Sequence, residues 1–164
     1  MIRTANIGDL AAVVEIYNQA IDAGFQTAYT HKFRPEEKEG WFHEFIPGRY
    51  PLFVYEKEGR VAGWLSISAY RKGRQALAGA VEISYFTDQN CRRQGIGSSL
   101  LQHGIDACSE LGYHTLLAII LEPNIASARL LEKFGFERWG YLPDIADFNG
   151  TKCSQVYYGL KLLQ

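Results

Sequence analysis

Cysteine is scarce. Cys91, Cys108 and Cys153 are odd in number and unrelated in spacing, which excludes a disulfide framework and a Cys-based metal site and leaves three reduced thiols. The four histidines, His31, His43, His103 and His114, stand on separate predicted elements without metal-ligand spacing, so no metal is expected. Charge of either sign is not in surplus: 17 basic against 18 acidic side chains give a net charge of -1, which argues against nucleic acid as a partner. No apolar run is long enough to span a bilayer, and Met1-Ile2-Arg3-Thr4 lacks the apolar core of a signal peptide. The expectation is a soluble, cytoplasmic protein with no membrane contact. Repeats, low-complexity tracts and linkers are also missing, and 164 residues of which 47% are hydrophobic suit one core and a single domain over residues 1–164.

What is present centres on Cys91-Arg92-Arg93-Gln94-Gly95-Ile96-Gly97-Ser98-Ser99-Leu100-Leu101. A strand-like run, Val81 to Thr87, enters a turn at Asp88, Gln89 and Asn90; two glycines two apart then open a helix with apolar period through Leu100, Leu101, Ile105 and Cys108. Free N–H groups in a first helical turn, backed by the helix dipole, can hold a phosphate or pyrophosphate, and glycines let it approach the main chain. Arg92 and Arg93 add charge at the mouth. The nucleotide-triphosphate loop is excluded because no Gly-Lys-Ser/Thr follows, and the dinucleotide fingerprint because Leu100 stands where a third glycine is needed.

Around this centre the pattern predicts alternating strands and helices. Ile2-Arg3-Thr4-Ala5 reads as a strand, and Asp9 as the cap of a helix carrying Leu10, Val13, Val14, Ile16, Tyr17 and Ile21. An irregular aromatic stretch from Asp22 to Phe33 precedes a second helix from Pro35 through Trp41, Phe42 and Phe45. Leu52 to Glu56 and Arg60 to Tyr70 form a hairpin about Lys57-Glu58-Gly59, followed by the basic turn Arg71-Lys72-Gly73-Arg74. Such a turn is ordinarily solvated; beside the proposed ligand strand it can also capture a carboxylate. Beyond the central helix, Tyr113 to Leu121 reads as a buried strand, Ser127 to Phe134 as a helix ending at Gly135, and Phe136 to Tyr141 and Val156 to Leu162 as closing strands linked by Leu142 to Cys153. Strand, helix, strand across 81–121 makes a crossover with two adjacent parallel strands. The fold class is α/β (α+β), a mixed central sheet flanked by helices.

These pieces together resemble the GCN5-related N-acetyltransferase (GNAT) superfamily. Arg92-x-x-Gly95-x-Gly97 resembles its pyrophosphate loop. Asn124-x-x-Ser127 with Leu130-Leu131-Glu132-Lys133-Phe134-Gly135-Phe136 resembles its next segment, and Ile16-Tyr17-Asn18-x-x-Ile21 the opening helix of the phosphinothricin and methionine-sulfoximine acetyltransferase subfamily. The resemblance implies acetyl-CoA as cosubstrate. Backbone groups of Tyr85, Phe86 and Thr87 would pair with its pantetheine arm. Arg92 and the amides of Arg93, Gln94, Gly95, Ile96, Gly97 and Ser98 would take its pyrophosphate, and Asn124 and Ser127 would contact it near the acyl arm. It also implies a small amine acceptor and a homodimer.

Glu82, ten residues before Arg92, falls where the subfamily carries its general-base glutamate; on the strand alone it reads equally as an ion pair with Arg74. Acetyl transfer to an ammonium needs a proton acceptor, and a partly buried carboxylate with a raised pKa can serve. Holding amine and thioester in line supplies on the order of 7 kcal/mol or more. Arg71 or Arg74 would hold an acceptor carboxylate, and Ala28 falls where herbicide-inactivating relatives place a phenylalanine facing the substrate. Leu131 stands where relatives carry a tyrosine or histidine to protonate the leaving thiolate; a thiol of pKa about 8.5 can leave without that help, and Tyr157 or Tyr158 are alternative acids. Two other readings remain at this stage: a non-catalytic acyl-CoA sensor, favoured by Leu131, and an acetyltransferase of protein amino termini.

Overall fold

The computed structural model describes residues 1–162. The chain opens with strand β1 (Ile2–Thr4) and a short 3₁₀ turn, Ile7–Asp9, before helix α1 (Leu10–Ala23). The cap differs from expectation. Asn6 caps the turn: its side chain accepts from the Gly8 N–H at 2.9 Å, and the Asp9 carboxylate accepts from the Asn6 N–H at 2.8 Å. Asp9 makes no cap bond to α1 because Arg3 takes both its oxygens, from Nη1 at 2.8 Å and Nη2 at 2.9 Å, while Arg3 Nε reaches Glu56 at 2.8 Å. This bidentate pair holds the Asp9 carboxyl well below the usual carboxylate range.

Helix α1 buries Leu10, Val13, Val14 and Ile16 of the expected stripe together with Ala20, while Tyr17 and Ile21 are half-buried. The irregular segment after it is tied back by Asn18, which donates to Phe33 O at 2.8 Å and accepts from Phe33 N–H at 2.9 Å. Helix α2 (Pro35–Phe42) follows with proline in its first turn. Phe45 lies beyond it, contrary to the sequence pattern, since Pro47 disfavours helix at Ile46 and the chain turns back in an Ile46–Tyr50 bridge. The ammonium of buried Lys38 sits over four rings, at 4.0 Å from the centroid of Phe33, 4.5 Å from Tyr29, 5.5 Å from Trp41 and 5.6 Å from Tyr17. Cation–π attraction thereby fastens α2 to the aromatic segment.

Strands β2 (Leu52–Lys57), β3 (Arg60–Ala69), β4 (Ala80–Thr87), β5 (Thr115–Leu121), β6 (Glu137–Phe148) and β7 (Thr151–Lys161) join β1 in one seven-stranded sheet, ordered β1-β2-β3-β4-β5-β7-β6. Among the described residues only β4 and β5 pair in parallel, through α3 (Ile96–Glu110) as expected; α4 (Ile125–Lys133) follows β5. Alternation divides the sheet into two faces. Phe53, Leu65, Ile67, Val81, Ile83, Leu116, Val156 and Tyr158 pack with α3 and α4, and Leu52, Val54 and Trp64 pack with α1 and α2. Gly104 lets α3 lie close against the first face, where a Cβ would stand 2.7 Å from Ile83 Cδ1 and 2.9 Å from Leu65 Cδ1.

The segment Leu142 to Cys153, expected as a link, is instead strand on both sides of a tight hairpin. Its tip is Asn149-Gly150, both at positive φ (53° and 92°), the backbone that a two-residue hairpin turn demands. Pro143 and a bulge between Leu142 and Ala146 interrupt the alternation that would have marked the strand. Helix α4 begins at Ile125, earlier than the expected Ser127, because Asn124 caps it by accepting the Ser127 N–H at 3.3 Å. Tyr113 precedes β5, and Leu162 follows β7.

The depressed carboxyl of Asp9 gives stability that is present above its unfolded pKa of about 3.9 and is lost as pH falls through its lower folded value. Asp9→Asn is expected to cost about 1.5–3 kcal/mol at neutral pH, the gap from wild type closing in acid; urea unfolding at pH 7 and along a descending pH series measures it.

Candidate active site

The parallel ladder between β4 and β5 is short: only Ala80, Val81 and Glu82 pair, with Thr115, Leu116 and Leu117. Beyond Glu82 the strands part. On one side Ile83 to Thr87 stay bonded to β3, and on the other Ala118 to Leu121 stay bonded to β7, so the edges that face each other have no strand partner. The gap is a cavity of about 470 Å³ lined by Ile83 to Thr87, Ala118 to Ile120 and the first turns of α3 and α4. Exposed strand edges of this kind offer N–H and C=O groups to an extended ligand arm.

At the mouth of this wedge the chain turns sharply. Asp88 accepts from the Asn90 N–H at 2.7 Å, and the backbone at Arg93 and Gly95 then takes the left-handed region (φ 60° and 79°), which at Gly95 costs no Cβ clash. The first intrahelical bond of α3 is Ser99 N–H to Gly95 O at 2.9 Å. Among the described residues the N–H groups of Ile96, Gly97 and Ser98 have no partner, and all three residues line the cavity. Free donors, the positive helix end and the exposed Arg92 and Arg93 make an anion cradle. A phosphate-bearing ligand with an extended arm fits both the cradle and the unpaired edges behind it.

On the other face a second cavity, about 760 Å³, lies among α1, α2, β3 and the basic turn; Tyr17, Trp41, Trp64, Ser66, Ser68, Arg71, Lys72, Arg74 and Ser84 line it. Ser84 also lines the wedge, so the two cavities meet at β4. Glu82, two residues earlier on the same face and opposite Ser68, stands where the strands part. Burial pushes its carboxyl above the usual range, with the Arg71 charge acting in the opposite direction. Among the described residues Glu82 has no ion-pair partner within 4.0 Å; the pairing with Arg74 does not form. Burial also pushes the Tyr17 phenol up to about 12, against the lowering influence of Thr27, with Tyr29 and Glu82 adding to the rise.

Most of the residues singled out from sequence therefore converge. Tyr85, Phe86, Thr87, Arg92, Arg93, Gly95, Ile96, Gly97, Ser98, Asn124 and Ser127 line the wedge, and Arg71 and Arg74 the second cavity. Gln94 lines neither, its side chain accepting from Lys57 Nζ at 2.5 Å. Ala28 is exposed and lines neither. Tyr158 donates to Glu132 at 3.0 Å on the α4 side, and Tyr157 lines a separate apolar cavity beside Trp139; neither faces the wedge. Tyr17, Trp64, Ser66, Ser68 and Ser84 were not singled out as site residues. The run of serines at alternating positions 66, 68 and 84 on facing strands was the available signal, since buried strand positions usually carry apolar side chains.

Comparison with known proteins agrees with this geometry. Residues 12–136 match the model of the acetyltransferase (GNAT) family. YwnH of Bacillus subtilis, provisionally named a phosphinothricin acetyltransferase, is 40% identical over 99% of this chain and 96% of its own. The phosphinothricin N-acetyltransferase of Streptomyces viridochromogenes is 33% identical over 86% of this chain and 76% of its own. A phosphinothricin acetyltransferase from Sinorhizobium meliloti, solved in complex with AcCoA, superposes with a TM-score of 0.92 at 27% identity, covering 99% of this chain and 88% of that one. With a parted parallel strand pair, an anion cradle at the head of α3 and relatives matched along almost its whole length, the chain belongs to the GNAT family of N-acetyltransferases, in its phosphinothricin acetyltransferase-like branch.

Proposed function

We propose that the protein transfers the acetyl group of acetyl-CoA directly to the α-amine of a small amino acid or amino-acid analogue of the phosphinothricin or methionine-sulfoximine type. The observation that carries this reading is the position of Glu82 at the end of the β4–β5 ladder, two residues before Ser84, where the wedge and the polar cavity meet; Glu82 itself lines neither. The unpaired edge of β4 at Tyr85, Phe86 and Thr87 suits the pantetheine arm, and the free amides of α3 suit the pyrophosphate, with Asn124 and Ser127 closing over the arm. When bound, acetyl-CoA supplies an activated acyl group on a thiolate leaving group.

The chain's own residues supply position and a base. Arg71 or Arg74 holds the acceptor carboxylate, Ser66, Ser68 and Ser84 offer hydroxyls along the cavity floor, and Glu82 takes the proton from the ammonium so that its lone pair is free. A carboxyl raised by burial is a better match to this task than an exposed one. The long edge strand β6, with Trp139, Tyr141 and Ile145 exposed, supports assembly as a homodimer. A small polar acceptor of this class supports a cytoplasmic enzyme; among the described residues no helix is long and apolar enough to cross a membrane.

The test is a thiol-release assay with acetyl-CoA against free amino acids, methionine sulfoximine, methionine sulfone, phosphinothricin and an amino-terminal peptide. Saturable release with an amino-acid-like acceptor is expected; tight acetyl-CoA binding with no release from any of them overturns the reading. Glu82→Gln is expected to lower kcat by about 10²- to 10⁴-fold while acetyl-CoA still binds by calorimetry. In wild type kcat/KM rises as pH rises through the elevated pKa of Glu82, because the base works deprotonated, and the Gln variant loses that limb. Arg71→Ala and Arg74→Ala, made singly, are expected to identify the carboxylate anchor by an increase of about tenfold in acceptor KM, with the KM for acetyl-CoA unchanged.

A further inference from the structure

Among the described residues two buried side-chain donors lack a hydrogen-bond partner, the Trp64 indole N–H and the Tyr85 hydroxyl. The indole is packed against the rings of Phe86, Tyr17 and Trp41 at centroid distances of 4.8, 5.3 and 5.7 Å, and aromatic faces accept an N–H weakly. The phenol has no such surroundings. Alternation along β4 puts Tyr85 on the α3–α4 face with Val81 and Ile83, and it lines the wedge together with Ser127 and Leu130 of α4. Ser127 lies close enough to act on the phenol, but no hydrogen bond within 3.5 Å joins them. One residue beyond Leu130, Leu131 is fully buried and carries no proton.

We propose that the Tyr85 hydroxyl is held for the cosubstrate: it donates a hydrogen bond to the sulfur of acetyl-CoA as that sulfur becomes a thiolate, filling from β4 the task that Leu131 leaves open on α4. This rests on the transferase reading above. The acceptor nitrogen forms its bond to the acetyl carbon as the carbon–sulfur bond breaks. Glu82 takes one proton from the ammonium before attack, the nitrogen sheds its second proton to water as the amide forms, the electron pair leaves on sulfur, and Tyr85 keeps its proton while pointing it at that pair; the thiolate takes its own proton from solvent after release. Burial pushes the phenol up to about 12, so it remains a donor throughout the working range. A buried donor left unpaired in the free protein carries a cost that a hydrogen bond to the bound cosubstrate would offset.

Tyr85→Phe removes the hydroxyl and keeps the ring. The expected result is a fall in kcat of about 10- to 100-fold with the KM for acetyl-CoA changed by less than about threefold, and a higher Tm for the unliganded variant, since an unpaired buried group is gone. Acetyl-CoA with selenium in place of sulfur, whose selenolate leaves without assistance, is expected to narrow the gap between variant and wild type. Unchanged kcat, an undiminished gap with selenium, or a lower Tm in the unliganded variant overturns the proposal, the last by revealing a structural bond to Ser127. If wild type releases thiol from no acceptor, the transferase reading falls alone and binding of CoA decides: a larger Tm rise in wild type than in Tyr85→Phe upholds the donor, and equal rises overturn it.

Discussion

Three pairs of residues hold β4 to β5, and everything that acts in this protein depends on the ladder ending there. A parallel pair in the middle of a mixed sheet is normally continuous and buried on both faces. Here it stops at Glu82 and Leu117, and each strand remains anchored to its outer neighbour, β3 or β7. The opening is therefore rigid on both sides. Backbone polarity that a sheet usually consumes internally is left facing a cleft, at no cost in pairing elsewhere. Because the strands part within the sheet, a ligand between them is reached from both faces, from the α3–α4 side by the anion cradle and from the α1–α2 side by the polar cavity.

That geometry gives the two cavities different chemistry. The wedge side presents donors: helix amides, arginines, a buried phenol. The opposite side presents serine hydroxyls, aromatic walls and a basic rim, with a carboxylate at the junction. Alternation along β4 sorts them, since Glu82, Ser84 and Phe86 point one way and Ile83 and Tyr85 the other. One strand thus lines both cavities, and a slip of one residue in its register would exchange the two sets.

The central unit was legible because its signals are local. Helical periodicity after a glycine pair, a strand of fixed length before it and an apolar run after it placed β4, α3 and β5 to within a residue or two of their boundaries. The anion cradle was legible for the same reason. The β6–β7 hairpin was not, because Pro143 and the bulge at Leu142–Ala146 break the alternation, although Asn149-Gly150 was a turn signal in plain view. The second cavity was hidden because its walls come from α1, α2, β3, β4 and the basic turn, brought together only by sheet register. Ala28 illustrates the limit of carrying a position over: the irregular segment has no periodicity to fix which side chains turn inward, and this one turns out. The unpaired state of Tyr85 depends on packing alone, and no spacing encodes it.

The lysine enclosed by aromatic rings beside the second cavity has a different bearing. Among the described residues Lys38 has no ion-pair partner; its ammonium, largely buried, lies over ring quadrupoles at 4.0 to 5.6 Å and donates to the Tyr29 hydroxyl at 3.5 Å. The basic turn across the same cavity is open to solvent, and its attraction for an anion fades once the screening length shrinks toward molecular contact at high salt. Ionic strength thus acts on the two walls unequally, loosening the grip on charge while leaving the aromatic wall in place. In concentrated salt the cavity keeps its aromatic shape while the electrostatic pull of its basic rim fades.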